Sequence, residues 1–306
     1  MGQASETIAV FGGTGFLGRR AARRLAASGF RVRVASRHSG RAQPLFGGGE
    51  TGVTEIEADI RDERQILAAL EGVDGAVNAV GLYIERGNDT FRSVHVEAAA
   101  RLAGLCRERG LRRLIHVSGV GADPHDSSSY IRARGEGELA VAKEFPAVTI
   151  VRPTVMFGLD DAFLTTLVRL GRILPVFPLF GRGDTRLQPA FVEDVGEAIA
   201  RLVAEVGSAG AIYEFGGPRA YTYRDLLVAV VRNLHRRHVF LPVPYSVWKL
   251  MATVAEHLPG AGLTRNQVDL MRRDTLVSGH FPGFHDLQIE PTPIESVLNE
   301  IIGQGD

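Results

Sequence analysis

Short apolar runs along this chain alternate with stretches in which apolar residues recur every three or four positions. Thr7 to Phe11 is the first run. Leu17, Ala21, Ala22 and Leu25 then fall on one face of a predicted helix, 19–28. The first rhythm suits buried strands and the second amphipathic helices. Further strands are predicted at 31–36, 53–57, 73–79, 112–117 and 148–151, with helices at 63–70, 89–108 and 130–144. Strands alternating with helices at this spacing predict an α/β fold built on a doubly wound parallel sheet. From Arg152 the rhythm changes. A helix at 163–170, an irregular loop through 175–178 and 181–183, a strand at 187–192 returning to the sheet, a helix to Glu205 and a strand at 211–215 are expected. The remainder, 222–234, 246–258, 264–273 and 293–302, reads mostly as helix. Residues 1–151 are therefore expected to form the core, and 152–306 a smaller, mostly helical lobe for a substrate or partner, with 187–215 returning to the core sheet.

The first strand runs into three spaced glycines, Gly12, Gly15 and Gly18, and a helix follows at once. Strand, glycine turn and helix in that order make a Rossmann dinucleotide cradle. Gly12 permits the tight turn, Gly15 lets the backbone approach a pyrophosphate, and Gly18 lets the helix pack on the strand. The helix start offers free N–H groups and a positive dipole end to phosphates. Thr14, Phe16 and Leu17 belong to the same turn and are expected at the ligand.

The second strand selects the nucleotide. An NAD-selective site places an acidic residue near its end for the ribose 2′-hydroxyl. No acidic residue lies between Gly29 and Phe46; the chain offers Ser36, Arg37 and His38 instead. A guanidinium suits a 2′-phosphate, so the expected ligand is NADP(H). Asp59, with Ile60 beside it, sits where a carboxylate reaches an adenine amino group. Ala79, Val80 and Gly81 are small enough to let a strand exit pass close to a ligand. Val117 and Pro153 end later strands and complete the expected wall.

Composition changes the picture little. The chain has 306 residues with 35 basic and 35 acidic side chains, so no general pull toward nucleic acid follows. Nearly all the basic charge is arginine; Lys143 and Lys249 are the two lysines. A single cysteine, Cys106, fits a reducing compartment, and no metal-ligand spacing stands out. The glycine-rich piece 46–52 reads as a loop. No leader peptide is expected from the few polar residues before the first strand, and the most hydrophobic region, 239–258, is broken by Pro242, Pro244, Lys249 and Glu256. A cytoplasmic protein is expected, peripheral to an inner membrane at most. Val247, Trp248, Leu250, Met251, Val254 and Leu258, at helical spacing, mark a stripe for core, partner or membrane contact.

Taken together, the glycine turn, Asp59 with Arg61-Asp62, Asn78 to Gly81, Ser118, Tyr130, Arg152-Pro153 through Gly158 and Phe191 to Val195 resemble the short-chain dehydrogenase/reductase superfamily in its extended and atypical branches. Gly135 to Glu138, Gln188-Pro189, Leu241 to Pro244, Leu263 to Val268 and Gly283 to Pro293 resemble, more narrowly, the nucleotide-binding accessory subunit of respiratory complex I and its bacterial relatives. The resemblance implies a respiratory-complex or other protein partner, bound through the C-terminal lobe. In active members of the superfamily a tyrosine exchanges a proton with the substrate, a lysine four residues on supports it, and a serine or threonine orients the substrate. Carried over, these roles fall on Tyr130, Arg134 and Ser118. Arg134 keeps the positive charge but not the shape of lysine. In many relatives the working hydroxyl lies one or two residues later, where this chain has Gly119 and Val120. Ser127, Ser128 and Ser129 read as a loop and helix cap. Two functions stay open: a protein holding NADP(H) as a structural or regulatory ligand, and an NADP(H)-dependent oxidoreductase or epimerase using Tyr130 on a quinone-like, carbonyl or sugar-nucleotide substrate.

Overall fold

The computed structural model describes residues 5–38, 40, 45–46, 52–173, 175–205, 209–233, 238–256 and 263–303. Its central sheet has seven strands: β1 (Thr7–Phe11), β2 (Arg31–Ser36), β3 (Val53–Glu57), β4 (Gly75–Asn78), β5 (Arg113–Val117), β6 (Thr149–Pro153) and β7 (Ile212–Phe215). Their order across the sheet is β7-β6-β5-β4-β1-β2-β3, and all neighbours run parallel. This is the doubly wound sheet read from the sequence. Every residue of β1 is buried, as both faces of a parallel sheet are covered. The chain winds from β1 to β3 on one side, then crosses back to β4. Phe11 at the end of β1 stands level with Ala35 of β2 and Asn78 of β4. That topological switch point leaves a crevice at the carboxyl ends of β1 and β4.

Among the described residues, five α-helices cover this sheet: α1 (Gly18–Ala27), α2 (Glu63–Ala69), α3 (Ala99–Glu108), α4 (Ser129–Glu144) and α5 (Val192–Ala204). Asp62 caps α2 by accepting from the amides of Arg64 and Gln65, and Ser128 caps α4 through the Ile131 amide. The helix expected from residue 89 instead begins as a π-helical stretch, Arg92–Ala98, that runs into α3. Residues 86–89 form a tight turn first, closed by backbone bonds in both directions between Arg86 and Asp89 (3.0 and 2.9 Å). Thr90 and Ser93 then trade side-chain bonds to each other's amides, which sets the start after Asp89.

The chain forms two compact units, Met1–Pro153 with Val192–Phe215 and Gly279–Glu290, and Thr154–Phe191 with Gly216–Ser278 and Pro291–Asp306. The return to the first unit begins at Val192, later than the expected 187. Arg186–Leu187 pairs antiparallel with Tyr221–Thr222, and Ala190–Phe191 pairs with Met156–Phe157, all within the second unit. Pro189, which lacks an amide hydrogen, divides the apolar run into two short pieces. The return is made by α5, packed on α1 through an Arg20–Glu193 ion pair (3.1 Å), and by β7. The segment 279–290 carries no helical or strand rhythm, yet it belongs to the first unit. The Glu214 amide donates to Pro282 (2.9 Å), and Phe284 stacks on Phe215.

The second unit has its own core, with Phe157, Leu164, Phe177, Leu179, Leu227 and Leu298 buried. Residues 175–178, expected in a loop, enter a strand, Val176–Phe180, paired in parallel with Val239–Val243. Apolar alternation is masked there by Pro178. Tyr245–Ala255 is helical. Its Trp248 turns inward, donating to the Leu179 carbonyl (2.9 Å) and stacking on Phe180. Val247, Leu250, Met251 and Val254 are exposed. Leu258 of that stripe, and residues 47–51 of the expected glycine-rich loop, lie outside the described residues. Among those described, no helix is long and apolar enough to cross a membrane.

Candidate functional site

The turn after β1 is built around two glycines. Gly12 sits at φ +73°, and its amide donates to the Ala35 carbonyl (3.0 Å). Its own carbonyl accepts from the Gly15 amide (2.9 Å). A Cβ on Gly12 would lie 2.8 Å from the Ala79 carbonyl oxygen, and one on Gly18 only 2.1 Å from the Gly12 oxygen. Nothing larger than hydrogen fits at residue 18, so α1 starts hard against the turn. Leu17 makes no side-chain cap, and the first turn of α1 carries no acidic residue. That end is left electrostatically open to an anion.

Beside the turn lies a cavity of about 200 Å³. Of the residues singled out from the sequence, Gly12, Thr14, Gly15, Ser36, Arg37, Asp59, Ile60, Ala79, Val80 and Gly81 line it. Phe16, Leu17, Gly18, Val117, Tyr130 and Pro153 lie outside its lining. Phe16 is covered by the Arg20 guanidinium, 4.8 Å from its ring centre, and Leu17 is buried. The Pro153 carbonyl accepts from Val120 (3.0 Å). Phe11, Ala35, His38, Ala58, Arg61, Leu82, Asp89 and Val94 also line the cavity. Phe11, Ala35 and Ala58 stand at or beside strand ends, a position the sequence pattern marks; Asp89 carries no local signal. The cradle fits the phosphate and adenosine part of a dinucleotide: hydrogen-only glycines at the turn, a helix start without a side-chain cap, and a cavity beside the ends of β1 to β4.

Strand ends hold this wall in place. Asn78 bridges inward to His116, its side-chain amide 3.2 Å from Nδ1, and its oxygen accepts from the Val80 amide (3.2 Å). The Ser36 hydroxyl donates to the His38 carbonyl (3.0 Å), closing the turn that carries Arg37. Arg37 Nη1 lies 2.9 Å from Asp89 Oδ2. Arg61 grips Asp59 with Nη2 to Oδ2 (2.6 Å) and Nε to Oδ1 (3.0 Å), and also bonds Asp89. The Arg61 hydrogen bond holds the Asp59 carboxyl below the usual carboxylate range. Asp59, expected to face an adenine, thus has both oxygens committed to an ion pair.

The expected catalytic trio lies elsewhere in the same unit. Tyr130, on α4, is walled in by Tyr83, Phe91 and His95, with ring centres 5.8, 5.3 and 5.8 Å away. The Arg134 guanidinium covers its ring at 4.9 Å. Burial pushes the Tyr130 hydroxyl well above its ordinary value, more than the charge of Arg134 pulls it down. Arg134 stays charged: burial, which works against its charge, is outweighed by Tyr130, Tyr83 and Glu138 together. Its Nη1 would lie 3.0 Å from a Cβ at residue 119. Gly119 and Arg134 therefore share one space, and a hydroxyl-bearing residue at 119 would press on the guanidinium. Ser118 Oγ and Arg134 Nε are both buried without a hydrogen-bond partner among the described residues. His95 Nε2 donates to the Leu82 carbonyl (3.0 Å) from the π-helical stretch. Burial and then the charge of Arg134 lower its pKa to about 4.

A parallel sheet with its switch point beside a glycine-built cradle defines a dinucleotide-binding Rossmann protein. The family described as NAD(P)H-binding matches residues 12–171, and the chain belongs to it. It is similar to the mitochondrial NADH dehydrogenase [ubiquinone] 1 alpha subcomplex subunit 9 of Arabidopsis thaliana, 32% identical over 96% of this chain and 77% of that one. It is also similar to the mitochondrial NADH-ubiquinone oxidoreductase 40 kDa subunit of Neurospora crassa, 31% identical over 94% of this chain and 76% of that protein. The complex I resemblance read from the sequence agrees with both. Among solved structures, the triphenylmethane reductase of Citrobacter sp., complexed with NADP(H), shares the fold at a TM-score of 0.76 and 18% identity, covering 98% of this chain and 100% of that one.

Proposed function

We propose that this protein holds NADP(H) as a resident structural or regulatory ligand and serves a respiratory complex of the NADH–ubiquinone oxidoreductase type, peripheral to the membrane that carries it. The observation that carries the reading is Tyr130. In a working reductase its hydroxyl must give and take a proton near neutral pH. Here the ring is boxed by aromatics and its proton is held more tightly than in water. Gly12, Gly15 and the start of α1 would receive the pyrophosphate, and Arg37, beside Ser36 in the cavity wall, the 2′-phosphate. The nicotinamide ring would supply hydride chemistry if a substrate reached it. The names of the similar proteins support the respiratory partner.

Mass spectrometry of the supernatant from denatured protein tests retention: NADPH released in near-equal amount to protein is expected, and none bound at millimolar concentration would overturn the reading. Co-purification with a respiratory complex tests the partner. Arg37→Ala should weaken NADPH binding about tenfold or more while changing NADH binding less than about threefold, since a charged hydrogen bond to phosphate is removed. Titration calorimetry with both nucleotides checks this, and equal losses would refute the 2′-phosphate assignment. Tyr130→Phe should leave NADPH affinity within about twofold, because only a hydroxyl inside the aromatic box is lost. A scan of quinones, aldehydes and ketones for NADPH oxidation accompanies it; turnover by the unmodified protein that Tyr130→Phe removes would favour the oxidoreductase reading.

A further inference from the structure

The acid that the end of β2 lacks reaches the cavity from another part of the chain. Among the described residues, four carboxylate and guanidinium groups line the cavity beside Ser36, and a further carboxylate, Glu55, lies 3.5 Å from the Ser36 hydroxyl outside that lining. Arg37 and Arg61 bring two positive charges, and Asp59 and Asp89 two negative ones. Asp59 is spent on Arg61, which grips both of its oxygens. Asp89 stands between the two arginines, with Oδ2 2.9 Å from Arg37 Nη1 and Oδ1 bonded by Arg61 Nη1. Its carboxylate thus occupies the position that a bound phosphate would need in order to use both guanidinium groups. The four groups in the lining sum to zero and Glu55 behind Ser36 adds a negative charge, so an incoming dianion meets no net attraction until one carboxylate gives way.

Asp89 is the carboxylate mounted to do so. Its backbone is fixed by the two bonds to Arg86 and by the Thr90–Ser93 exchange that follows. Only a short side chain has to turn. That side chain is 24% exposed, so water can receive it when it leaves the arginines.

Resting on the NADP(H) reading above, we propose that Asp89 is a specificity-determining residue of the cradle: its carboxylate holds the place of the 2′-phosphate between Arg37 and Arg61, and its displacement sets how strongly the site prefers NADPH to NADH. The phosphate exchanges places with a carboxylate of like sign, so the arginines keep an anionic partner in both states. Preference for NADPH is therefore smaller than two free arginines would give.

The test is Asp89→Asn, with NADPH, NADH and adenosine 2′,5′-bisphosphate titrated into the full-length protein. Loss of the competing charge is expected to tighten NADPH and the bisphosphate by about three- to fivefold, the upper range of a partly exposed ion pair. NADH should change less than about twofold. Raising salt should shrink the gain. Asp89→Glu, which keeps the charge, should stay near the unmodified protein; Asp89→Ser serves if the asparagine variant melts early. Unchanged NADPH affinity in Asp89→Asn, with NADH also unchanged, overturns the proposal. So does a selective loss of NADH binding, which would make Asp89 a ribose-hydroxyl ligand. Arg37→Ala, run alongside, separates the two layers. If it weakens NADPH selectively while Asp89→Asn does nothing, Asp89 alone is misassigned; if it weakens both nucleotides equally, the NADP(H) reading falls and the proposal with it.

Discussion

Gly18→Ala is expected to weaken dinucleotide binding by about a hundredfold and to lower the melting temperature by about 5 °C. The added methyl would sit 2.1 Å from the Gly12 carbonyl oxygen and 2.8 Å from its carbonyl carbon. Both are backbone atoms, so no side-chain rotation relieves the clash. Overpacking of this kind costs about 1–3 kcal/mol, and a strain of 3 kcal/mol placed on the binding turn corresponds to about a hundredfold in affinity. The Gly12 oxygen also accepts the Gly15 amide. Moving it disorders the part of the loop that must approach a pyrophosphate. Gly303→Ala is the control. Gly303 lies outside the cavity lining and its Cβ would meet no atom within 4 Å, so affinity should change less than about threefold. Calorimetric titration with NADPH and a thermal melt of both variants decide the matter. Normal binding by Gly18→Ala would mean that α1 is not seated as described.

The second large effect is acid destabilisation set by two buried histidines. Burial, then the neighbouring charges of His95 and Arg134, take His116 down to about 3. His95 falls to about 4, through burial and Arg134. In the unfolded chain both protonate near pH 6.5. Between about pH 6.5 and pH 4 the unfolded state therefore binds more protons than the folded one, and stability falls as pH falls. Each histidine contributes a slope of up to about 1.4 kcal/mol per pH unit. The combined loss between pH 7 and pH 4 is on the order of 5 kcal/mol. Asp59 and Asp74, held below the usual carboxylate range by Arg61 and by the Thr7 amide respectively, are lost only at lower pH. Urea unfolding at pH 7, 6 and 5 measures the slope. His116→Gln should flatten it by about half, and a slope unchanged by that variant would assign the acid sensitivity to other groups.

The sheet and the cradle were legible because their signals are local. A strand, three glycines and a helix lie within 22 residues of each other in sequence, and the small residues at 79–81 adjoin a strand end. What escaped depends on distant partners. Asp89 meets Arg37 across fifty-two positions, and nothing around either residue announces it. Gly119 reads as the loss of a hydroxyl until Arg134 is seen filling the same space. The strand expected at 187–192 failed on Pro189, whose missing amide outweighs the apolar pattern on either side. Residues 279–290 escaped because a single 3₁₀ turn, His285–Leu287, has no period to detect.

The three-part make-up of the first unit bears on how the protein is born. Arg20 of α1 waits for Glu193, and the outer edge of β6 waits for β7 and for the stretch that brings Phe284 onto Phe215. A ribosome adding 5–20 residues per second needs on the order of ten seconds to pass from residue 153 to residue 290. Until β7 arrives partway through that interval, the outer edge of β6 is open and unpaired, and α1, beside the glycine turn, lacks its Glu193 partner. Chaperone contact during synthesis would be drawn to that edge, although every residue lining the cavity, 11–94, has already been made.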